Sequence, residues 1–360
     1  MTLAVNLAQG ASNNVTFRNK IINGACVIDQ RNAGSSVTPA NGVSTYTLDR
    51  WSIYVSQASK LTAQQSSTAP TGFVNSLLVT SSSAYSVLTG DDFELRQFIE
   101  GYNTADLMWG TANAQTVTLS FWVRSSLTGT FGGAIRNSAN DRSYVFSYTI
   151  SSANTWEQKT VTIAGDTSGT WLTTNGRGMA VIFSLGAGST FLKAAGSWGA
   201  GEYAGVTGQT NLVGTSGATL YITGVQLEAG TTASPFEYRQ YGTELYLCQR
   251  YYAKLGANAS GSANYQAYGA GHNNANNTSQ DFHLPFPQFM RATPTIALSG
   301  SIGVSANGSY INVNSIGGTY AGVFSALLQT NTGAIGSAGQ GAVLLSNADN
   351  TAYISLTAEL

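Results

Sequence analysis

The chain has 360 residues, too many for one ordinary core, so about two or three domains are expected. Only 9% of its residues are charged, with 16 Lys and Arg against 17 Asp and Glu, which excludes the basic footprint of a nucleic-acid-binding protein and the polybasic segment that docks on anionic lipid. With 42% hydrophobic and 11% aromatic residues it is not a disordered chain, and its polar surface must be largely Ser, Thr, Asn, Gln and backbone. Such a surface suits a neutral ligand such as a sugar, although β-rich proteins are often Thr-, Ser- and Gly-rich for no such reason.

Residues 1–17 are polar with a weak apolar patch and are expected to form an extended or short helical arm for attachment. They lack a basic region followed by a long apolar core, so no secretory signal is expected, and no apolar run reaches the length of a membrane span. A chain made in the cytoplasm that acts outside would then leave by assembly into a particle released by lysis. The first core segment is NKIINGACVIDQR, whose Asn-Gly offers a tight turn between two apolar runs, and YTLDRWSIYV follows. DDFELRQFIEGYNTADLMWG reads either as part helix or as a strand with a long loop.

The clearest strand is TVTLSFWVRSS, where Val117, Leu119, Phe121 and Val123 alternate with Thr118, Ser120, Trp122 and Arg124. SYVFSYTI, NTWEQKTVTIAG, MAVIFSLGAG and ATLYITGVQLEAG continue the pattern, each closed by Gly, Asn or Ser. Strands separated by turns, without helices between them, predict an all-β antiparallel sandwich over residues 18–240. Cys26 and Cys248 lie far apart among apolar residues and are expected to be buried free thiols.

In YGTELYLCQRYYAKL, a short helical joint is predicted over 241–256, with Thr243 as its N-cap, Glu244 at the positive end of its dipole and Gly256 as its stop. Leu245, Cys248 and Tyr252 fall on one stripe and Leu247 and Tyr251 on another. Leu245, Leu247, Arg250, Tyr251 and Tyr252 are therefore candidates for a subunit interface. Glu237 and Arg239, just upstream, are expected in the same network, with solvated heads on buried stems as the alternative. Residues 257–360 open with a Gly- and Asn-rich stretch and return to short strands, so a smaller distal β-sandwich is expected there.

No HExxH, GxSxG or clustered Cys and His occurs, and no metal or other cofactor is expected. Asp91, Asp92, Glu94 and Glu100 enclose Arg96, and structural pairing is the expected reading over a two-carboxylate hydrolase. Trp171 and Trp198 lie in Gly-, Ser- and Thr-rich loops, as ligand candidates or as pins for those loops. Distally, His272 and Asn273 sit in GHNNANNTSQ, and Tyr265, Tyr268, Tyr310 and Tyr320 lie near glycines. Recognition is placed there first, on loops of a rigid scaffold.

The strings TLSFWVRSSLTGTFGGAIRNSANDRSY, NTWEQKTVTIAGDTSGTWLT and LYITGVQLEAGTTASPFEYRQYGTELYLCQRYY, in that order, resemble a module of bacteriophage and prophage tail fibre proteins. NKIINGACVIDQRNAG and YTLDRW resemble the module's opening, and FPQFMRATPTI a strand of distal fibre domains, so the likeness runs over about residues 18–254 with one further motif beyond. The resemblance implies a jelly roll of carbohydrate-binding-module type. It also implies a homotrimer held by its amino terminus to a baseplate or tail protein of the virion. The expected function is non-enzymatic attachment to a host-surface glycan or other receptor. A carbohydrate-active hydrolase and a cell-surface adhesin module are the alternatives.

Overall fold

The computed structural model describes residues 17–256, 265–274 and 278–360. Of the expected arm, only Phe17 falls among them, and residues 257–264 and 275–277 of the Gly- and Asn-rich stretch also lie outside. The chain divides into two compact units at Tyr241 and Gly242, one residue from the expected end of the jelly roll.

In the first unit, β1 (Thr45–Leu48), β2 (Trp51–Val55), β5 (Asp92–Glu100), β7 (Gly129–Asn137), β8 (Arg142–Ile150), β10 (Arg177–Ala187) and β12 (Trp198–Ala200) build a seven-stranded sheet in the order β1-β2-β5-β10-β7-β8-β12. A five-stranded sheet, β3-β4-β14-β6-β9, comes from β3 (Leu61–Ser66), β4 (Ser76–Ser81), β6 (Val117–Ser125), β9 (Glu157–Ile163) and β14 (Thr219–Ala229). All ladders within these two sheets are antiparallel and the chain passes repeatedly from one sheet to the other, which is the jelly-roll path. A two-stranded parallel pair, β11 (Leu192–Lys193) with β13 (Gly205–Val206), lies in the long loop after β10. The alternation in β6 holds as expected: Val117, Leu119, Phe121 and Val123 are fully buried and Trp122 is half-buried on the other face. They meet Phe131, Phe146, Tyr148 and Phe183 from the opposite sheet, and Phe121 packs edge-on to Phe183 and Tyr148 at 5.0 and 5.1 Å.

Two local readings become specific. The Asn-Gly of NKIINGACVIDQR makes a turn, but neither flank is a strand. Instead Asn23, at φ 59°, spends its amide on the carbonyls of Ile28 and Asp49 and so fixes an irregular segment that buries Ile21, Cys26 and Ile28. Burial pushes the Cys26 thiol up to about 12, and both cysteines are buried and outside any disulfide. The ambiguous DDFELRQFIEGYNTADLMWG is strand β5 followed by two 3-10 turns, Gly101–Asn103 and Ala105–Leu107.

In the second unit, helix α1 (Tyr241–Gln249) leads to β15 (Tyr252–Gly256). The helix therefore stops well before Gly256, which is strand, and Thr243 lies within its first turn rather than at its cap. Of its two apolar stripes, only Cys248 is buried within the helix. Glu244 and Cys248 are inside, while Leu245 and Leu247 are half-buried. β15, β24 (Tyr353–Thr357) and β18 (Thr295–Ser299) form a three-stranded sheet in that order. Facing it is a seven-stranded sheet of β16 (Ala267–Asn273), β17 (Ser279–Pro285), β19 (Ile302–Ala306), β20 (Ser309–Asn312), β21 (Ser315–Ala321), β22 (Ser325–Asn331) and β23 (Gly341–Ser346), ordered β20-β19-β23-β16-β17-β22-β21. Ala253, Ile354 and Leu356 of the small sheet pack with Phe282, Leu284, Val304, Leu328 and Leu344 of the large one, so the expected distal sandwich is present. Its middle strand is β16, drawn from the Gly-rich stretch read as loop. A Cβ at Gly271 would lie 1.9 Å from the Asp281 carbonyl oxygen, so only glycine lets β17 approach there. Among the described residues no helix is long and apolar enough to cross a membrane.

Candidate functional site

The outer face of the distal seven-stranded sheet is built by register. Tyr310 faces Ser305, Ser305 faces Val343, Val343 faces Ala270, Ala270 faces His283, His283 faces Leu327, and Leu327 faces Tyr320. Side chains alternate along each strand, so residues facing one another across the ladders share one face. The neighbours of this row, Val304, Leu344, Phe282 and Leu328, point into the core. Tyr310, Val343, Leu327 and Tyr320 are 53%, 36%, 40% and 68% exposed, and His283 and Ala270 are exposed too. Six strand spacings make the row roughly 29 Å long. Tyr265 extends it, its ring 4.9 Å from that of Tyr310.

Beside this apolar row runs a polar one, in which Gly318 faces Gln329, Gln329 faces Asp281, Asp281 faces His272 and His272 faces Gly341. Asp281 Oδ1 accepts Gln329 Nε2 at 3.0 Å and Asn274 Nδ2 at 3.2 Å, while His272 is exposed. A strip of apolar groups thus borders a line of donors and acceptors. His272, Tyr265, Tyr310 and Tyr320, expected near turns, are brought to this one surface. His283, Leu327, Val343 and Gln329 belong to it and had no signal of their own, because each is marked only by its cross-strand partners.

Of the other expected ligand residues Asn273 is buried, while Tyr268, Trp171 and Trp198 are half-buried and bond within the chain. Asn273 is 1% exposed and gives its amide to the carbonyls of Ile335 and Ser337 at 2.6 and 3.2 Å, closing a loop. The Tyr268 hydroxyl donates to the Ala352 carbonyl at 2.8 Å, and burial pushes its phenol up. Trp171 and Trp198 meet the buried Trp109 edge to face at 4.7 and 5.3 Å. The Trp198 indole donates to Ala164 O at 2.7 Å, and that of Trp171 to Ser168 O at 3.2 Å. Trp198 opens strand β12 and Trp171 lies in a loop, and the indole donor of each is engaged by a backbone carbonyl of the same chain.

The expected interface residues differ in the same way. Tyr251 is fully buried and Tyr252 is 6% exposed, so neither has surface for a second chain. Arg250 is half-buried, with its carbonyl accepting the Arg291 amide at 2.8 Å and a guanidinium nitrogen 3.5 Å from the Phe289 carbonyl oxygen. Glu237 and Arg239 act within the chain, where they bind residues 17–21.

The acidic group of β5 pairs structurally, as expected. Glu94, fully buried, contacts Arg136 and lies 2.8 Å from Arg96, while Arg136 reaches Glu202 at 3.0 Å. Burial works against the Glu94 charge, but the guanidinium groups of Arg136 and Arg96 outweigh it and hold the carboxyl below its ordinary range. Asp92, desolvated and beside Glu94, is pushed well above that range. Asp91 accepts Ser56 Oγ, Tyr85 Oη and the Leu88 amide at 2.9, 2.7 and 2.8 Å. Among the described residues no group of three or more His, Cys, Asp or Glu side chains gathers to hold a metal ion.

No family model and no curated protein matches the chain. Solved structures do. The enzymatically active domain of tailspike protein 4 of bacteriophage CBA120 is similar over 59% of this chain and 22% of its own, at 12% identity and a TM-score of 0.31. A structure described as a putative sugar binding protein from Bacteroides thetaiotaomicron matches 59% of this chain and 100% of its own, at 12% identity and 0.32. The family 11 carbohydrate-binding module from Clostridium thermocellum, in complex with a β-1,3-1,4-mixed-linked tetrasaccharide, matches 56% and 100%, at 12% and 0.28. The chain spans little more than a fifth of the tailspike domain. At such values the likeness carries no weight for what this chain binds.

Proposed function

We propose that this chain is a subunit of a bacteriophage tail fibre, a non-enzymatic, homotrimeric adhesin that holds a neutral glycan of the host surface on the outer strip of its distal unit. Its amino-terminal segment is then fixed to a baseplate or tail protein of the virion. The observation that carries the reading is the strip. Tyr320, Leu327, His283, Val343 and Tyr310 lie in one exposed row, bordered by Gln329, Asp281 and His272. Tyrosine rings and aliphatic groups suit the apolar faces of sugar rings, and the polar row suits their hydroxyls. The strip is roughly 29 Å long, which fits an extended chain better than a single sugar. It carries one carboxylate and no Lys or Arg, so an uncharged ligand meets no electrostatic barrier. The fibre part of the reading rests on the ordered motifs of residues 18–254. Three copies would present three strips, and effective concentration would turn weak single sites into firm attachment.

The test is binding of the full chain to an array of host-surface glycans, with light scattering on the same sample. Saturable binding to an uncharged polysaccharide, three chain masses per particle and no release of oligosaccharide are expected. A stable monomer at micromolar concentration would remove the trimer, and released oligosaccharide the non-enzymatic reading. Undiminished binding by a Tyr320→Ala, Leu327→Ser variant would remove the strip.

A further inference from the structure

The motif PFEYR, Pro235 to Arg239, was expected to face another subunit. It closes instead on the start of its own module. The Glu237 carboxylate accepts three successive backbone amides, from Phe17 and Arg18 on Oε1 at 2.5 and 3.3 Å and from Asn19 on Oε2 at 3.0 Å. Arg239 donates to the Ile21 carbonyl at 3.1 Å and to that of Asn19, pairs with Glu237 at 3.2 Å and stands over the Phe17 ring. Arg18 reaches back to the Pro235 carbonyl at 2.7 Å. Asn19 ties this seam to β14, giving its amide to the Val225 carbonyl at 3.1 Å and accepting the Leu227 amide at 3.0 Å. Several of these bonds are charge-assisted, the stronger class of hydrogen bond, and Glu237 and Arg239 keep little exposure, at 12% and 7% of their side chains.

The chain's entry into the module and its exit are therefore adjacent. Phe17 touches Glu237, and Tyr241, where the first unit ends, is four residues further on, at most roughly 14 Å of extended chain. A module of this length has a radius of gyration of about 17 Å, so most of its mass lies away from the seam. We propose that Glu237 and Arg239 form a mechanical latch. Tension between the amino-terminal segment and the distal unit then crosses the short seam of residues 17–21 and 235–239 without loading the two sheets. The proposal rests on the adhesive reading, in which the chain is pulled between virion and host, but the latch is testable without any receptor.

The experiment pulls the full chain in an optical trap by handles at its two termini. In the wild-type chain the module should unfold in one step at high force. In a Glu237→Ala, Arg239→Ala variant the unfolding force should at least halve, preceded by a short extension as residues 17–24 peel from β14. Arg142→Ala removes an ion pair of the same kind, with Asp166 at 2.5 Å, outside the seam. It should lower the melting temperature without producing the early extension. Equal unfolding forces in the latch variant and the wild type would overturn the proposal, and so would an early extension in Arg142→Ala. Far-ultraviolet dichroism shows whether the latch variant is folded. If it is not, the single substitution Glu237→Gln takes its place, with a smaller fall in force expected and an unchanged force again overturning the latch.

Discussion

The two seven-stranded sheets treat their outer faces in opposite ways. In the first unit the outward residues of β5 and β7, among them Asp92, Glu94 and Arg136, are nearly all buried. They pair with one another, and the loop that carries Glu202, Tyr203 and Val206 covers part of them. Arg96 lies over the rings of Tyr54 and Phe98, each at 4.9 Å. In the distal unit the corresponding face stays open, with large apolar groups exposed and only seven charged residues after Tyr241. A closed face contributes stability through its network, whereas an open one is left for contact with something else. Large exposed apolar patches generally mark interaction sites.

The contrast should be visible in the size and place of mutational effects. Phe282→Ala empties a fully buried site in the smaller core and should cost about 3–5 kcal/mol. In a unit this small that lowers its melting step by roughly 15 °C, while the first unit's step stays put. Scanning calorimetry reads both. Arg136→Ala leaves the Glu94 carboxylate buried with one guanidinium fewer and should also cost about 3–5 kcal/mol. The larger unit dilutes this to roughly 10 °C, in the first step only. Movement of the distal step would contradict the separation of the two cores.

The pH dependences should have opposite signs. The native state holds the Asp92 proton more tightly than the unfolded chain does, because burial and the neighbouring Glu94 raise its carboxyl. Its contribution is complete below the unfolded value near pH 4 and is lost as pH rises through the raised folded value. Asp92→Asn should therefore change little at pH 4 and increasingly stabilise the first unit as pH rises. In the distal unit Asp349 is held down to about 2 by hydrogen bonds from the Thr351 hydroxyl and the amides of Ser301 and Thr351. Its contribution is present above about pH 4 and is lost as pH falls toward 2, so Asp349→Asn should blunt acid unfolding of the distal unit alone. Melting curves taken across both windows decide the signs. The smallest effect on stability belongs to the strip, where Tyr320→Ala should shift the distal melting step by no more than about 0.5 kcal/mol.

Much of the first unit was legible because its buried strands place large apolar residues at every second position, as in β6. The distal middle strand was not, since its inward positions include Gly269 and Gly271, which carry no hydrophobic signal. In the joint the stripe pattern marks Cys248 correctly but not the buried Glu244, and the stripe residues Leu245 and Leu247 are only half-buried. The latch residues were noticed in the sequence, but their partners lie about 220 positions away, and no local pattern records such a contact. The strip needed the register of seven strands. Four of its members could be picked as aromatic or polar residues near glycines, and the same rule also picked Asn273 and Tyr268, which bond within the fold.

Recognition by the open face and not by the closed unit is the central claim, and host-cell adsorption of three full-length chains tests it most directly. One is wild type, one carries Tyr310→Ala, Leu327→Ser and Tyr320→Ala in the strip, and one carries Trp171→Phe and Trp198→Phe in the module. The strip variant should lose adsorption at least tenfold while melting like the wild type, and the tryptophan variant should adsorb normally. Normal adsorption by the strip variant together with loss in the tryptophan variant would contradict the claim and move recognition to the jelly roll.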